Sequence, residues 1–223
     1  MCGRFTLTID PEDLREELDL GFMPTEIHPR YNVAPTQPVA VVVEPTQRKV
    51  ELFQWGLVPS WAKDVTIGSR LINARSETLI EKPAFRKAFE RRRCLILADG
   101  FYEWAKPGEK VTRKTPYYFH LNSHKPFMFA GLWEFWRSPE GKELRTCTII
   151  TCPANEQIAQ FHDRMPVILS VEARWKWLEP RAKIPDLNPY LVPYPNGEIN
   201  YYPVSPLVNN PAAEDAACIQ PVQ

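Results

Sequence analysis

Five strand-like segments follow one another between residues 94 and 151, and they dominate what this chain can fold into. Apolar runs cover residues 94–98, 101–105, 117–121, 127–136 and 144–151. Two further runs, 39–44 and 49–54, flank a Pro-Thr-Gln-Arg turn and predict a hairpin. Many of the 23 prolines lie in connections, where they end regular elements and limit the entropy of the unfolded chain. The sequence therefore predicts an α+β fold, a single mixed domain over residues 2–223 dominated by antiparallel β-sheet.

Short helices are expected outside the sheet. Asp10 is a predicted N-cap, and Pro11 at the first helical position predicts a helix that ends near Leu18. Residues 76–92 have helical spacing that Pro83 interrupts, and residues 171–178 show an amphipathic pattern. Regular runs are few from residue 179 onward, but residues 201–205 are expected to return to the sheet as an edge strand.

The charge balance narrows the classes of partner. Lysine and arginine number 27, as do aspartate and glutamate, so overall charge does not indicate a polyanionic partner. A nucleic-acid site has to be a local patch. The opening stretch lacks an apolar core of signal-peptide length, and no 18-residue apolar run occurs. We therefore expect no membrane partner and a cytoplasmic location, with nucleoid association when DNA is bound.

The cysteines predict reduced thiols. There are five of them, widely spaced and without a C-x-x-C pair, which argues against a disulfide framework and a structural zinc site. Cys94, Cys147 and Cys152 lie in apolar runs, as is typical of small buried residues. We expect no metal and no organic cofactor, and a monomer is the default expectation.

Cys2 is the most informative cysteine because it follows Met1 and precedes Gly3. Methionine aminopeptidases remove Met before a small side chain, so the mature chain is expected to begin with Cys2. Its α-amine and thiol could then close a five-membered thiazolidine ring on an aldehyde. An α-amine has a pKa near 8, against about 10.4 for lysine, so roughly one-tenth is the free nucleophile at neutral pH. Ring closure is intramolecular and therefore favoured. Position alone still favours the simpler interpretation, a small residue tolerated after Met1.

Three other polar residues suit chemistry on an aldehyde or a sugar. Asn73 and Arg75 lie on one side if their segment is extended, where an amide could orient an amine and a guanidinium could hold a phosphate. Taken alone, a polar edge strand explains them better. Glu103 follows an apolar strand between two aromatics, and apolar surroundings would raise its pKa and let it pass protons near neutrality. A solvent-facing strand position explains Glu103 equally well.

His162 lies beside an acid and a cation in the sequence His-Asp-Arg-Met-Pro. Imidazole is the side chain best suited to proton transfer at physiological pH, although a capping or core role is an equal alternative. The remaining histidines, His28, His120 and His124, lack such neighbours and are expected to be surface or packing residues.

Cations and exposed aromatics could together hold single-stranded DNA. Arg4, Arg75 and Arg164 are the predicted phosphate-binding patch, with Trp61 or Trp104 as a surface on which unpaired bases stack. The basic run at residues 91–93 is interpreted as a solvated helix end and not as a site.

Six ordered motifs together resemble the SOS-response-associated peptidase (SRAP) family. They are MCGRF at 1–5, YNVAPT at 31–36, WGLVPSW at 55–61, LINAR at 71–75, ADGFYEW at 98–104 and HDRMP at 162–166. The resemblance runs from residue 2 to about residue 205. It implies a barrel-like fold. One departure is Ala62, which stands where some members carry a second aromatic after Trp61.

The resemblance implies a sensor and shield of abasic sites in single-stranded DNA, acting in the replication-coupled response to DNA damage. Cys2 would form the covalent crosslink, Asn73 would position it or the opened sugar, and Glu103 and His162 would handle protons, with His162 also assisting reversal. The resemblance also implies that Arg4, Arg75 and Arg164 contact DNA phosphates. Asn32 and Pro35 line the DNA-binding surface.

Two other functions stay open at this point. Cys2 with His162 and Glu103 could form a thiol peptidase, as the family's peptidase label suggests for exposure of the N-terminal cysteine, and lyase-type activity is also expected. A non-covalent reader of modified or single-stranded DNA is the third hypothesis, under which Cys2→Ala would retain function.

Overall fold

The computed structural model describes residues 2–105 and 115–222, which form two β-sheets with short helices around them. The strands are β1 (Phe5–Leu7), β2 (Arg30–Val33), β3 (Pro38–Val42), β4 (Val50–Trp55), β5 (Asn73–Arg75), β6 (Arg93–Ala98), β7 (Gly100–Trp104), β8 (Pro116–Leu121), β9 (Phe127–Arg137), β10 (Glu143–Pro153), β11 (Arg164–Pro166), β12 (Ile168–Leu169) and β13 (Ile199–Pro203). The α-helices are α1 (Pro11–Glu17), α2 (Arg86–Arg91), α3 (Glu156–Ala159), α4 (Val171–Trp177) and α5 (Ile184–Leu187). The α+β class dominated by antiparallel sheet is confirmed.

The first sheet has five antiparallel strands in the order β13, β8, β7, β1, β2. Thr6 of β1 lies opposite Gly100 of β7, and Gly100 lies opposite His120 of β8. The expected edge strand near residues 201–205 is β13, which pairs only with β8 in this sheet order.

The second sheet closes on itself. Its order is β11, β10, β4, β3, β6, β9, β12, and a further pairing of β9 with β10 joins five of these strands into a ring. Strand β5 runs parallel to β10 and lies off this path. The predicted hairpin of residues 39–54 forms β3 and β4 of the ring. The closed ring gives most of its strands two partners, which removes the exposed edges that an open sheet would have.

Aromatic side chains pack the two sheets together. The ring of Phe5, on β1 of the first sheet, lies edge-on to Trp55 at 5.1 Å and to Phe129 at 5.8 Å between centroids. All three side chains are buried. Because Phe5 lies two residues after Gly3, this packing fixes the start of the chain between the sheets.

The helix-start signals are confirmed, and one predicted helix is shorter than expected. Asp10 accepts a hydrogen bond from the Glu12 backbone N–H at 3.0 Å and begins α1. Within residues 76–92, by contrast, only Arg86–Arg91 is α-helical, after a single 3₁₀ turn at Ser76–Thr78. Pro83 lacks an N–H and disfavours helical geometry in the residue before it, so the helix starts only beyond it.

The basic run at residues 91–93 is only in part the solvated helix end that the sequence predicts. Arg91 is exposed, but Arg93 is buried and donates hydrogen bonds to four backbone carbonyls, of Phe89, Glu90, Trp177 and Glu179, at 2.6 to 2.9 Å. Arg93 therefore caps the carboxyl end of α2 and ties it to the end of α4. No helix in the described parts of the chain is long and apolar enough to cross a membrane.

Candidate functional site

Cys2 is buried at the point where the first sheet meets β5. The Tyr102 backbone N–H donates to the Arg4 carbonyl at 3.0 Å, so the ladder between β1 and β7 continues toward Cys2. The Cys2 thiol points back to the Arg4 carbonyl, with Sγ 3.6 Å from the oxygen. The Cys2 side chain is fully buried, as are those of the other four cysteines, and none of the five forms a disulfide.

Asn73 contacts Cys2 directly. Its Nδ2 donates a hydrogen bond to the Cys2 carbonyl oxygen at 2.8 Å. Its Oδ1 is buried and accepts no hydrogen bond from any described residue. A hydrogen-bond acceptor without a donor among these residues therefore lies next to the Cys2 backbone. Strand β5 is held in place by two contacts. Asn73 pairs with Ile149 of β10, and the Trp55 indole N–H donates to the Ile72 carbonyl at 2.9 Å. The predicted association of Cys2 with Asn73 is thus present in the fold.

Glu103 lies on β7, where the continued register with β1 sets it opposite Gly3. It is 3% exposed. Burial raises the pKa of the Cys2 thiol well above its ordinary value, and the negative charge of Glu103 adds to the rise. The Cys2 thiol is therefore neutral at physiological pH.

His162 precedes β11 and is anchored through one ring nitrogen. Its Nδ1 lies 2.7 Å from Asp163 Oδ1 and 3.0 Å from the Arg164 backbone nitrogen. The imidazole is 31% exposed. Nδ1 is thus held by the two residues that follow His162 in the chain.

Arg164 is buried and pairs with Glu77, a residue that sequence analysis did not select. Its guanidinium donates to both carboxylate oxygens of Glu77, at 2.5 and 2.9 Å, and to the Thr151 carbonyl at 2.6 Å. The hydrogen bonds from Arg164 lower the pKa of Glu77 to about 2. Thr151 itself is in register with Arg75 of β5 and Pro166 of β11. Strand β10 thus lies between β11, which begins at Arg164, and β5, which carries Asn73.

Arg4 and Asn32 hold the carboxyl-terminal segment. Arg4 Nη1 donates to Asn32 Oδ1 at 2.6 Å and to the Val208 carbonyl at 2.5 Å. Asn32 is fully buried, and its Nδ2 lies within 2.8 to 3.3 Å of three carbonyls between residues 208 and 213. The structure gives both side chains internal partners, so their contact with DNA stays a prediction. Trp104 is half-buried, and its indole N–H donates to Asn209 Oδ1 at 2.7 Å.

Arg75, Trp61 and Pro35 are the predicted DNA contacts that reach the surface. Arg75 is exposed at the end of β5 and forms no ion pair with any described residue. Trp61 is 61% exposed, while Pro35 is half-buried. The loop after Trp61 is fixed because the Trp136 indole N–H donates to the Ala62 carbonyl at 2.8 Å. Arg75 is therefore the cation best placed to meet a phosphate without first breaking an internal bond.

The Asp99-Gly100 pair of the fifth motif has a structural role. Asp99 accepts hydrogen bonds from the Thr6 and Thr8 hydroxyls at 2.5 and 2.6 Å. A Cβ on Gly100 would lie 2.2 Å from the Tyr118 hydroxyl oxygen, so this close approach requires glycine. The bonds of Asp99 tie the segment of Thr6 and Thr8 to the start of β7, and the close approach at Gly100 packs Tyr118 of β8 against β7.

Missing from the sequence-based selection were Glu77 and Thr151, which organise Arg164. Glu77 stands two residues after Arg75, and this spacing was the one available signal. In the described ranges, no group of three or more histidine, cysteine, aspartate or glutamate side chains is arranged to hold a metal ion.

Comparisons with known proteins agree on one family. The family model for SOS response associated peptidase (SRAP) matches residues 1–211. The chain is 47% identical over 215 residues to the abasic site processing protein YoqW of Bacillus subtilis, covering 95% of each chain. It is 29% identical over 264 residues to the abasic site processing protein HMCES of Xenopus tropicalis, covering 98% of this chain and 78% of that one. A crystal structure of a Bacteroides thetaiotaomicron protein shares the fold, with a TM-score of 0.88 and 24% identity over the whole of both chains.

Proposed function

The chain belongs to the SOS response associated peptidase (SRAP) family, and we propose that it senses and shields abasic sites in single-stranded DNA by a covalent crosslink through Cys2. The relatives' names, abasic site processing proteins, support the substrate. The single observation that supports the residue is the hydrogen bond from Asn73 to the Cys2 carbonyl, next to a thiol whose pKa the charge of Glu103 raises.

The proposed reaction is a condensation in which no atom changes oxidation state overall. Removal of Met1 leaves Cys2 with a free α-amine. This amine attacks the aldehyde carbon of the opened sugar, and loss of one water gives an imine. The Cys2 thiol then adds across the C=N bond, sulfur to carbon and proton to nitrogen, and closes a thiazolidine ring. Because amine and thiol belong to one residue, ring closure is intramolecular and gains the corresponding effective molarity.

The hydrogen bond from Asn73 to Cys2 and the protonation of the Cys2 thiol support this order of steps. Because Asn73 fixes the Cys2 carbonyl, rotation of the terminal residue is restricted while the amine attacks. The neutral thiol competes poorly with the amine in the first step, because a thiolate is the stronger sulfur nucleophile. Its proton is present for transfer to nitrogen during ring closure. Asn73 acts here as a positioning residue.

Proton transfer is assigned to Glu103 and His162. Glu103 is close enough to the Cys2 thiol for its charge to raise the thiol pKa, so it is suited to take and return protons at the amine and the imine. The imidazole of His162 is oriented by the contacts of Nδ1 with Asp163 and Arg164, and we assign it to opening of the sugar ring and to reversal of the crosslink.

The DNA backbone is assigned first to Arg75, with Trp61 as the exposed surface on which an unpaired base stacks. Arg4 and Arg164 lie behind this surface with internal partners. A phosphate that reached Arg164 would compete with Glu77 for the same guanidinium. Pro35 and Trp104 complete the proposed surface.

A general thiol peptidase is not favoured by the environment of Cys2. Such an enzyme needs a thiolate near neutral pH, and both burial and the charge of Glu103 oppose thiolate formation here. We assign to the site no peptide-bond cleavage beyond exposure of Cys2. Lyase activity at the abasic site is expected to be suppressed, because ring closure removes the imine through which strand cleavage would proceed.

The test is a denaturing crosslink assay. The protein is incubated with single-stranded DNA carrying one abasic site, and the covalent band is mapped by mass spectrometry. Cys2→Ala should abolish the band, whereas Cys94→Ala, which alters another buried cysteine, should retain it. A band of unchanged intensity from Cys2→Ala would refute the proposal, as would retention of Met1 in protein that crosslinks.

A further inference from the structure

Helix α4 carries a buried arginine that forms no ion pair with any described residue. Arg174 is 9% exposed, and its side chain has neither an ion pair nor a hydrogen bond with any residue in 2–105 or 115–222. Its Nε is out of contact with solvent. The other two buried arginines differ: Arg93 donates to four carbonyls, and Arg164 binds Glu77 and Thr151.

The surroundings of Arg174 are unfavourable for a lone cation. Burial lowers the pKa of its guanidinium and the charge of Arg48 lowers it further, while the charge of Glu172 raises it. The stacking of the guanidinium against Trp175, 5.4 Å from the ring centroid, offsets only part of this desolvation. Buried charges in proteins are normally paired, and Glu172 lies beyond ion-pair distance, so Arg174 is open to an anion from outside the chain.

A cavity of about 350 Å³ opens beside Arg174. This volume lies within the range of ligand pockets, about 300–1,000 Å³. Most of its wall is apolar: Leu18, Leu121, Pro126, Phe127, Met128, Leu169 and Val171. Lys125 and Glu17 also line it, but they pair with each other at 2.8 Å and contribute no net charge. The cavity thus offers one cation without an ion-pair partner among the described residues, beside an apolar wall.

A second, apolar cavity of about 270 Å³ adjoins the first. Leu169, Ser170 and Tyr194 line both. The remainder of the second wall is supplied mainly by proline and aliphatic side chains: Ile168, Ala173, Pro189, Val192, Pro193 and Pro195. A ligand that fills both cavities needs a carboxylate next to one apolar group and a further apolar group about one residue away. The last residues of a peptide chain have this arrangement.

The two cavities lie at the opposite end of the sheet from Cys2. Leu121 lines the first, and the strand register sets it level with Leu7 of β1. Cys2 is five residues further along that strand, which is about 16 Å at 3.3 Å per residue. A ligand at Arg174 therefore does not occupy the crosslinking site.

We propose that Arg174 and these two cavities bind the C-terminal carboxylate of a partner protein whose last residues are apolar. Arg174 pairs with the terminal carboxylate, and the apolar wall receives the last side chain. The penultimate residues extend over Ser170 into the cavity of Pro193 and Tyr194.

The probes are N-acetyl-L-phenylalanine and its amide, which differ in the carboxylate alone. Binding to the unmodified full-length protein is measured by NMR titration. The acid should bind at least fivefold more tightly than the amide. Arg174→Gln should reduce the affinity for the acid to that for the amide, and Arg174→Lys, which keeps the charge, should retain a preference for the acid. Arg181→Gln removes an exposed charge outside both cavities and should leave binding unchanged.

Equal affinity of the unmodified protein for acid and amide would overturn the proposal, and this comparison does not depend on any variant folding. Acetate that binds as tightly as N-acetylphenylalanine would also overturn it, because the apolar wall would then contribute nothing. A tripeptide with two apolar residues at its C-terminus should bind more tightly than N-acetylphenylalanine. Equal affinity of these two would assign the cavity to a small organic acid instead.

Discussion

Glu77→Gln tests how far one ion pair stabilises the region around His162. Arg164 donates two hydrogen bonds to Glu77, and these bonds lower the pKa of the Glu77 carboxyl from 4.5 to about 2. A shift of this size corresponds to a ceiling of about 3.4 kcal/mol. The Glu77 side chain is 46% exposed, so solvent screening reduces the expected contribution to about 1–2 kcal/mol.

The sign of the pH dependence follows from the lowered pKa. A carboxyl that is more acidic in the folded chain stabilises it fully above the unfolded pKa of 4.5, and the contribution is lost as the pH falls toward 2. Glu77→Gln should therefore lower the free energy of unfolding by about 1–2 kcal/mol at pH 7, or about 2–8 °C in Tm for a chain of this length. The difference between the variant and the unmodified protein should shrink by more than half near pH 3.

Urea denaturation followed by tryptophan fluorescence at pH 7 and pH 3 measures both quantities. Glu143→Gln is the matched control, because Glu143 also pairs with an arginine, Arg137, but both side chains are more than half exposed. This control should change stability by less than about 0.5 kcal/mol. A Glu77→Gln penalty that is the same at both pH values would refute the electrostatic origin of the effect.

Three further predictions concern single side chains. Arg75→Ala should weaken capture of single-stranded DNA. It should also reduce the steepness of the plot of log K against log salt concentration by about 0.7, the value expected for the loss of one phosphate contact. An unchanged slope in a salt titration would contradict this prediction. Asn73→Ala should slow crosslinking about 2- to 13-fold in a gel time course, because one hydrogen bond to Cys2 is lost, while circular dichroism stays unchanged. Arg93→Met should cost about 3–5 kcal/mol in urea denaturation, since four buried carbonyls lose their donor, whereas exposed Arg91→Met should cost less than about 0.5 kcal/mol.

Local signals located most of the long elements but few of the short ones. The hairpin of β3 and β4, the long strands β9 and β10, and the start of α1 at Asp10 were all predicted, because alternation and capping are properties of neighbouring residues. Strands β1, β2, β5, β11 and β12 have only two to four residues. Segments this short are too short to show a period in their hydrophobicity. They become strands only because a distant strand pairs with them.

The candidate site was likewise predictable only in part. Cys2, Asn73 and Glu103 were selected from the sequence, and the structure joins Cys2 to Asn73 by a hydrogen bond and places the charge of Glu103 near enough to raise the pKa of the Cys2 thiol. The partners of the arginines were not predictable. Arg4 meets Val208 across 204 positions of sequence, and Arg164 meets Glu77 across 87.

The sequence by itself thus determined the groups on which the proposed chemistry rests: a cysteine that follows Met1, with an amide and acid–base groups in ordered motifs, carried by a chain rich in β-strands. Only the tertiary structure decided which charges remain available. Arg75 stays exposed, Arg164 is taken by Glu77, and Arg174 is buried without an ion pair to any described residue. The physical reason is that side-chain identity sets what a group can bind, while the pairing of distant strands sets whether an internal partner reaches it first.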